Sequence, residues 1–200
     1  MVRKIARDRL VLETLEPRAL LATTVVDPAD GLRLVSSAVL GEWNTAGKVD
    51  GWTATPAAGA EVAAGVLTVA APAGGGAVKI ARPNIAAGPD LDRGYFDFVQ
   101  TRLKLPRGFS QDFVFQFGTD THPGFAADRS FTIPAAQVAA DGQWHTYRLD
   151  VGLEVWWRDA LRDLSIQPAG GLAPGDTVQV DYVEVGDLPG DVLRASNEMA

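Results

Sequence analysis

Tryptophan is the residue type in this sequence that is best suited to recognising a ligand. The chain has five tryptophans, and two of them, Trp156 and Trp157, are adjacent and followed by Arg158. Flat aromatic rings stack on the apolar faces of sugar rings, and nearby polar groups then read the hydroxyls. The Trp156–Trp157 pair therefore has the composition of a carbohydrate-binding loop. The alternative is that all five tryptophans pack in a core.

Groups that could catalyse a reaction are not evident. The chain has no cysteine, and its two histidines, His122 and His145, are too isolated to form a metal triad. The Gly-x-Ser-x-Gly elbow of serine hydrolases is absent. Glycoside hydrolysis needs two facing carboxylates, but nothing in the sequence singles out a pair among the 25 acidic residues. We therefore expect a binding protein, with a jelly-roll glycanase as the less favoured alternative.

The charge of the chain excludes some partners. The formal net charge is −7 at pH 7, and an acidic body does not attract a phosphate backbone. No apolar run approaches the roughly 20 residues that a membrane-spanning helix needs. We therefore expect neither a nucleic acid partner nor a membrane span.

Alternation of apolar and polar residues dominates the body of the chain and is typical of β-strands with one buried face. Phe113, Phe115 and Phe117 share one face of a strand and are expected to fill a core. The pattern predicts strands at residues 65–71, 77–82, 95–105, 113–117, 130–134, 144–151, 161–167 and 177–185. The first two flank three glycines and are expected to form a hairpin. About ten strands with short connections predict an all-β, antiparallel β-sandwich.

The N-terminal segment has features of an export signal. Residues 1–22 begin basic and end small and apolar, although charged residues interrupt the centre. Residues 15–22, LEPRALLA, resemble the LEPR-xLL motif at the start of many large surface and exported proteins of planctomycete bacteria. The resemblance implies export and sorting to the cell surface. The residues alone would also fit a short amphipathic helix that ends before Pro17, or a disordered segment.

Three segments of the body resemble strands of a known superfamily. WHTYRLD at 144–150, LRDLSIQP at 161–168 and VQVDYVEV at 178–185 follow one another as strands do in jelly-roll modules of the galactose-binding-like and carbohydrate-binding-module superfamily. With the segment from Trp43 to Trp52, which also resembles these modules, the resemblance covers residues 42–186 and implies a jelly roll. It also makes Trp156 the core member of the tryptophan pair. Trp157 is then the candidate for binding a glycan, with Arg158 and Tyr95 beside it.

The same resemblance implies a structural calcium ion. In similar modules an acid in the final strand often helps to bind calcium with oxygens from the first strand, and here these would be Asp181, Glu42 and Asp50. Calcium takes about 6–8 oxygen ligands. Alternation also slips by one residue at Asp181, where a bulge would absorb the change of face. The residues alone would equally allow Asp181 to cap a turn or to pair with an arginine.

These observations divide the chain into four parts: an export or sorting segment at 1–26, a linker at 27–41, a β-sandwich at 42–187, and a tail or linker at 188–200. We predict an extracellular or cell-surface module that binds polysaccharide or another glycan without catalysing a reaction. The alternative is a structural interaction domain of a larger surface assembly, with the same fold but without a sugar site.

Overall fold

Two antiparallel sheets form the fold, as the sequence predicts. The computed structural model describes residues 24–27, 35–55, 59–85, 96–152, 155–157 and 159–187. These residues contain twelve strands: β1 (Thr24–Asp27), β2 (Val35–Gly41), β3 (Thr53–Thr55), β4 (Ala60–Ala63), β5 (Val66–Ala70), β6 (Lys79–Arg82), β7 (Phe98–Lys104), β8 (Phe113–Thr119), β9 (Ser130–Ile133), β10 (Trp144–Asp150), β11 (Leu161–Pro168) and β12 (Thr177–Asp187). The all-β antiparallel sandwich is therefore confirmed, with twelve strands rather than ten.

The larger sheet has seven strands and the smaller sheet has five. The order in the larger sheet is β1-β10-β7-β12-β5-β4, and β2 pairs with β12 beyond the end of β5. The order in the smaller sheet is β3-β6-β11-β8-β9. Single turns of 3-10 helix lie at Ala135–Gln137 and Val155–Trp157. Within the described ranges, no helix is long and apolar enough to cross a membrane.

The core lies between the inner faces of the two sheets. Phe113, Phe115 and Phe117 of β8 are all fully buried, which confirms their predicted place. They contribute to one continuous cluster with aliphatic residues of the seven-stranded sheet, including Val99 and Val185. Burying an aromatic or aliphatic side chain of this size contributes about 1.5–3 kcal/mol to the free energy of folding. This cluster therefore supplies much of the energy that holds the loops at the ends of the strands in place.

The predicted slip in the last strand is present. Pairing between β12 and β7 shifts register between Val180 and Tyr182, so Asp181 occupies a β-bulge. The shift lets Val180 on one side of the bulge and Val183 on the other face the same core. The bulge therefore reconciles the broken alternation of the sequence with a single buried face.

Two predictions about chain organisation are wrong. Residues 65–71 and 77–82 do not form a hairpin, because β5 belongs to the larger sheet and β6 to the smaller one. The backbone of Gly76, between these two strands, instead pairs with Leu172 in the loop between β11 and β12. The sandwich also includes residues assigned to the export segment and the linker. β1 pairs with β10, and β2 pairs with β12.

Candidate functional site

The adjacent tryptophans are buried and exposed in the opposite order from that predicted. Trp157 is only 5% exposed, and its ring packs against Phe117 and Phe131 at centroid distances of 5.0 and 6.0 Å. Its indole N–H donates a hydrogen bond to the Phe96 carbonyl at 2.8 Å. Trp156 is 39% exposed. The prediction that Trp157 is the exposed member of the pair is therefore wrong, because its ring completes the core beside two phenylalanines.

Trp156 belongs to a surface that we call the loop platform: Trp156, His122, Thr121, Asp120 and Asp159. The rings of His122 and Trp156 meet edge to face, with centroids 4.6 Å apart. The His122 Nδ1 atom lies 2.9 Å from the Thr121 hydroxyl. The platform thus places an exposed indole beside an imidazole and short polar side chains.

The two loops of the platform are joined by hydrogen bonds. The Asp159 carboxylate accepts hydrogen bonds from the backbone N–H groups of Thr121 and Ala160, at 2.9 and 2.8 Å. Asp120 donates its backbone N–H to the Ala160 carbonyl at 3.1 Å. The Asp120 carboxylate also accepts two hydrogen bonds from the Arg162 guanidinium. Charge-assisted and bidentate contacts of this kind fix geometry, so the platform is organised before any ligand arrives.

A buried carboxylate supports the loops from below. Asp163 is 7% exposed and accepts hydrogen bonds from the backbone N–H groups of Asn84 and Gly124 at 3.1 and 2.8 Å. Gly118 leaves room for this contact, because a Cβ there would lie 2.7 Å from the Asp163 carboxylate and 2.7 Å from the Gly124 carbonyl. Sequence reasoning missed both residues, since their roles depend on a loop distant in sequence.

The charge state of Asp159 follows from its contacts. Hydrogen bonds from the backbone N–H groups of Thr121 and Ala160 lower the pKa of its carboxyl below the ordinary value. A general acid in glycoside hydrolysis has its pKa raised instead. Asp159 is therefore suited to holding the two loops together and not to donating a proton.

The other four tryptophans are less suited to stacking on a ligand. Trp43 and Trp52 are fully buried, like Trp157, and pack against each other at a centroid distance of 5.8 Å. Trp144 is half-buried on the outer face of the larger sheet, and the Arg102 guanidinium lies over its ring at 5.3 Å. Trp156 is thus the most exposed tryptophan of the chain. Arg158 and Tyr95, the other predicted ligand-binding residues, lie outside the described residues.

Two of the three acids of the predicted calcium site have side-chain partners in this structure. Asp181 pairs with Arg102 at 2.8 Å, which is the arginine alternative that the sequence left open. Glu42 accepts a hydrogen bond from the Asn44 amide at 3.1 Å, and Asp50 lies in an exposed turn with a φ of 48°. In the ranges that the structure covers, no three Asp, Glu, His or Cys side chains are grouped to hold a metal ion. Calcium binding therefore stays a prediction.

Comparison with known proteins does not place the chain in a family. No family model matches it, and no curated protein matches it. Solved structures with a similar arrangement include CBM28, a carbohydrate-binding module specific for non-crystalline cellulose, at 18% identity and a TM-score of 0.45, covering 74% of this chain and 94% of that chain. The mannan-recognising module TmCBM27 matches at 13% identity and a TM-score of 0.43, covering 82% and 98% of the two chains. The K3 adhesin domain of Lys-gingipain from Porphyromonas gingivalis matches at 11% identity and a TM-score of 0.43, covering 75% and 99%. At these values the comparisons assign neither a family nor a ligand.

Proposed function

We propose that this chain is a non-catalytic glycan-binding module and that it binds through the loop platform. The observation that carries the proposal is the exposure of Trp156, at 39%, on a loop whose neighbouring tryptophan is buried. A tryptophan ring offers a large, rigid apolar surface with a polar N–H at its edge, which suits contact with a ligand that has both apolar faces and hydroxyls. Stacking on the apolar face of a sugar ring is the contact that this indole is best placed to make.

The polar groups around Trp156 support a sugar as the ligand. The His122 ring lies against one edge of the indole, and its Nδ1 atom is engaged with Thr121. The other ring nitrogen of His122, Nε2, is then the atom of this side chain that would exchange a hydrogen bond with a ligand hydroxyl. An aromatic face with a few convergent polar groups is typical of small-molecule and sugar sites.

Three acids near the platform support binding without catalysis. Asp120 pairs with Arg162, Asp159 accepts two backbone N–H groups, and Asp163 does the same while buried. A hydrolase would need one carboxyl to act as an acid and a second to face it across the ligand. Each of these three carboxylates instead has a structural partner.

A binding experiment with matched tryptophan variants tests the proposal. Affinity electrophoresis and calorimetry would use glucan, xylan, mannan and galactan as probes. We expect Trp156→Ala to abolish binding with little change in melting temperature. Trp144→Ala, which removes the same side chain from the outer face of the larger sheet, is the control and should still bind.

Two results would reject the proposal. If wild type binds none of the polysaccharides and self-associates in size-exclusion chromatography, the chain is a structural interaction domain. If the wild-type chain hydrolyses a polysaccharide and one acid-to-amide change stops the reaction, the chain is an enzyme.

We also infer export to the cell surface or the surrounding medium, from the LEPRALLA motif at residues 15–22. Fusing residues 1–30 to a reporter in a planctomycete host tests this inference. Export of the fusion, and its loss when Glu16, Pro17 and Arg18 are all changed to alanine, would support it. Retention of the unaltered fusion in the cytoplasm would contradict it.

A further inference from the structure

A cleft of about 360 Å³ lies away from the loop platform. One wall is the β7–β8 loop, residues 105–112, and the other is the β11–β12 loop, residues 169–176. The volume falls in the range of about 300–1,000 Å³ that is usual for small-molecule sites. β8 begins beside this cleft and ends beside the loop platform, and a seven-residue strand spans about 20 Å. The cleft and the platform are therefore separate surfaces.

The walls of the cleft are held together at their base. The Gln111 side chain accepts a hydrogen bond from the Gly170 N–H at 2.8 Å and donates one to the Gly171 carbonyl at 2.6 Å. The backbone N–H of Ala169 donates to the Asp112 carbonyl at 2.8 Å. Three hydrogen bonds therefore join the two loops, and the cleft is a fixed feature of the fold.

The lining of the cleft is more polar than apolar, and it combines groups that bind hydroxyls with one aromatic ring. Phe109 packs edge to face on core residue Phe113 at 6.2 Å and lines the cleft. Arg107 and Asp176 come from opposite walls, and Ser110 adds a hydroxyl. A guanidinium offers several donors and a carboxylate several acceptors, which is the pairing that neighbouring sugar hydroxyls need.

We propose that this cleft is a second ligand site and that it takes one neutral sugar ring. The apolar face of the ring would lie on Phe109, while Arg107 and Asp176 would exchange hydrogen bonds with its hydroxyls. The opposite charges of these two side chains favour a neutral ligand over an acid or an amine. The assignment does not depend on the loop platform.

A second site at the other end of β8 gives the molecule a further activity. Two sugar sites that face different directions can hold two glycan chains at once. For a ligand long enough to reach both sites, binding at the first site gives it an effective concentration at the second that depends on the distance between the sites. Crosslinking, unlike the cleft assignment itself, also rests on the proposed function of the loop platform: with both sites the module would crosslink polysaccharide as well as bind it.

The test uses the Trp156→Ala protein, so that the loop platform does not contribute. Methyl glycosides of glucose, galactose, mannose and xylose are titrated while the amide signals of Gly108 and Gly171 are followed by NMR. We expect saturable shifts at both amides with at least one sugar. Arg107→Ala should weaken that binding by about 10- to 100-fold, as the loss of a hydrogen bond to a charged group does.

Controls separate this proposal from general effects of charge and from the platform. Lys48→Ala removes a positive charge from the exposed β2–β3 loop and should leave the titration unchanged. Asp176→Asn provides a second variant within the cleft and should also weaken binding. The absence of saturable shifts with all four sugars, or shifts that Arg107→Ala does not alter, would overturn the proposal. The Thr121 and His122 amides of the wild-type chain report separately on the platform.

Discussion

Replacing each member of the tryptophan pair by alanine should have very different effects on stability. Trp157 is 5% exposed, contacts Phe117 and Phe131, and donates a hydrogen bond to the Phe96 carbonyl. Truncating a buried tryptophan to alanine costs about 3–5 kcal/mol, because apolar contacts are lost and a cavity remains. For a domain of this size, each kcal/mol lowers the melting temperature by about 2–4 °C. We therefore expect Trp157→Ala to lower the melting temperature by roughly 6–20 °C.

Trp156→Ala should change stability much less. Its side chain is 39% exposed, and surface substitutions usually change the free energy of unfolding by no more than about 0.5 kcal/mol; loss of the edge contact with His122 brings the expected cost to about 1 kcal/mol. The expected fall in melting temperature is under about 4 °C. Thermal unfolding followed by near-ultraviolet circular dichroism, repeated in urea, measures both variants under the same conditions.

A third variant checks the reasoning about Trp157. Trp157→Phe keeps an aromatic ring against Phe117 and Phe131 and removes only the larger ring and its N–H group. Its stability should lie between those of wild type and Trp157→Ala. Equal losses for Trp156→Ala and Trp157→Ala, or a larger loss for Trp156→Ala, would refute the assignment of Trp157 to the core.

Three further predictions concern the loops and the metal. Gly118→Ala should lower the free energy of unfolding by about 1–3 kcal/mol and weaken glycan binding, because the new Cβ would press on Asp163. Urea unfolding and affinity electrophoresis check this prediction, and an unchanged urea midpoint would contradict it. Hydrogen bonds hold the pKa of the Asp159 carboxyl below its ordinary value in the folded protein. The stabilisation of the loop platform by this carboxylate is therefore complete above about pH 4, and it is lost as the pH falls through the lower pKa of the folded state. Glycan binding by wild type should then fall in acid more than that of Asp159→Asn, and parallel pH profiles would argue against this role. Because Asp181 is paired with Arg102, EDTA should leave the melting temperature unchanged. If EDTA lowers the melting temperature and added calcium restores it, the calcium site is favoured instead.

Strong alternation in the sequence was sufficient to predict the core strands. Phe113, Phe115 and Phe117 alternate with smaller or polar residues, and they lie in the core as expected. The slip at Asp181 was also readable, because apolar residues on both sides of it must face one core. These features are local, so periodicity alone is enough to find them.

Features that depend on distant partners could not be predicted. Nothing near residues 65–82 indicates that β5 and β6 enter different sheets or that Gly76 pairs with Leu172. Strand β3, Thr53–Thr55, is short and mostly exposed, so it lacks the apolar alternation that reveals a strand.

The choice between the adjacent tryptophans was also beyond local reasoning. Neighbouring side chains diverge, but which one is buried depends on the positions of Phe117 and Phe131, which belong to other strands. The supports of the platform are equally distant, since Asp163 binds Asn84 and Gly124 across the end of the smaller sheet. Sequence therefore predicted that one indole of the pair is exposed and the other buried, but not which is which.

Calorimetry of wild type, Trp156→Ala and Trp144→Ala against a single polysaccharide that wild type binds tests the central claim most directly. Exposure of Trp156 and the rigid loops beneath it predict that heat of binding disappears only in Trp156→Ala, while all three proteins unfold within a few degrees of one another. Full binding by Trp156→Ala would show that the loop platform is not where the glycan is held.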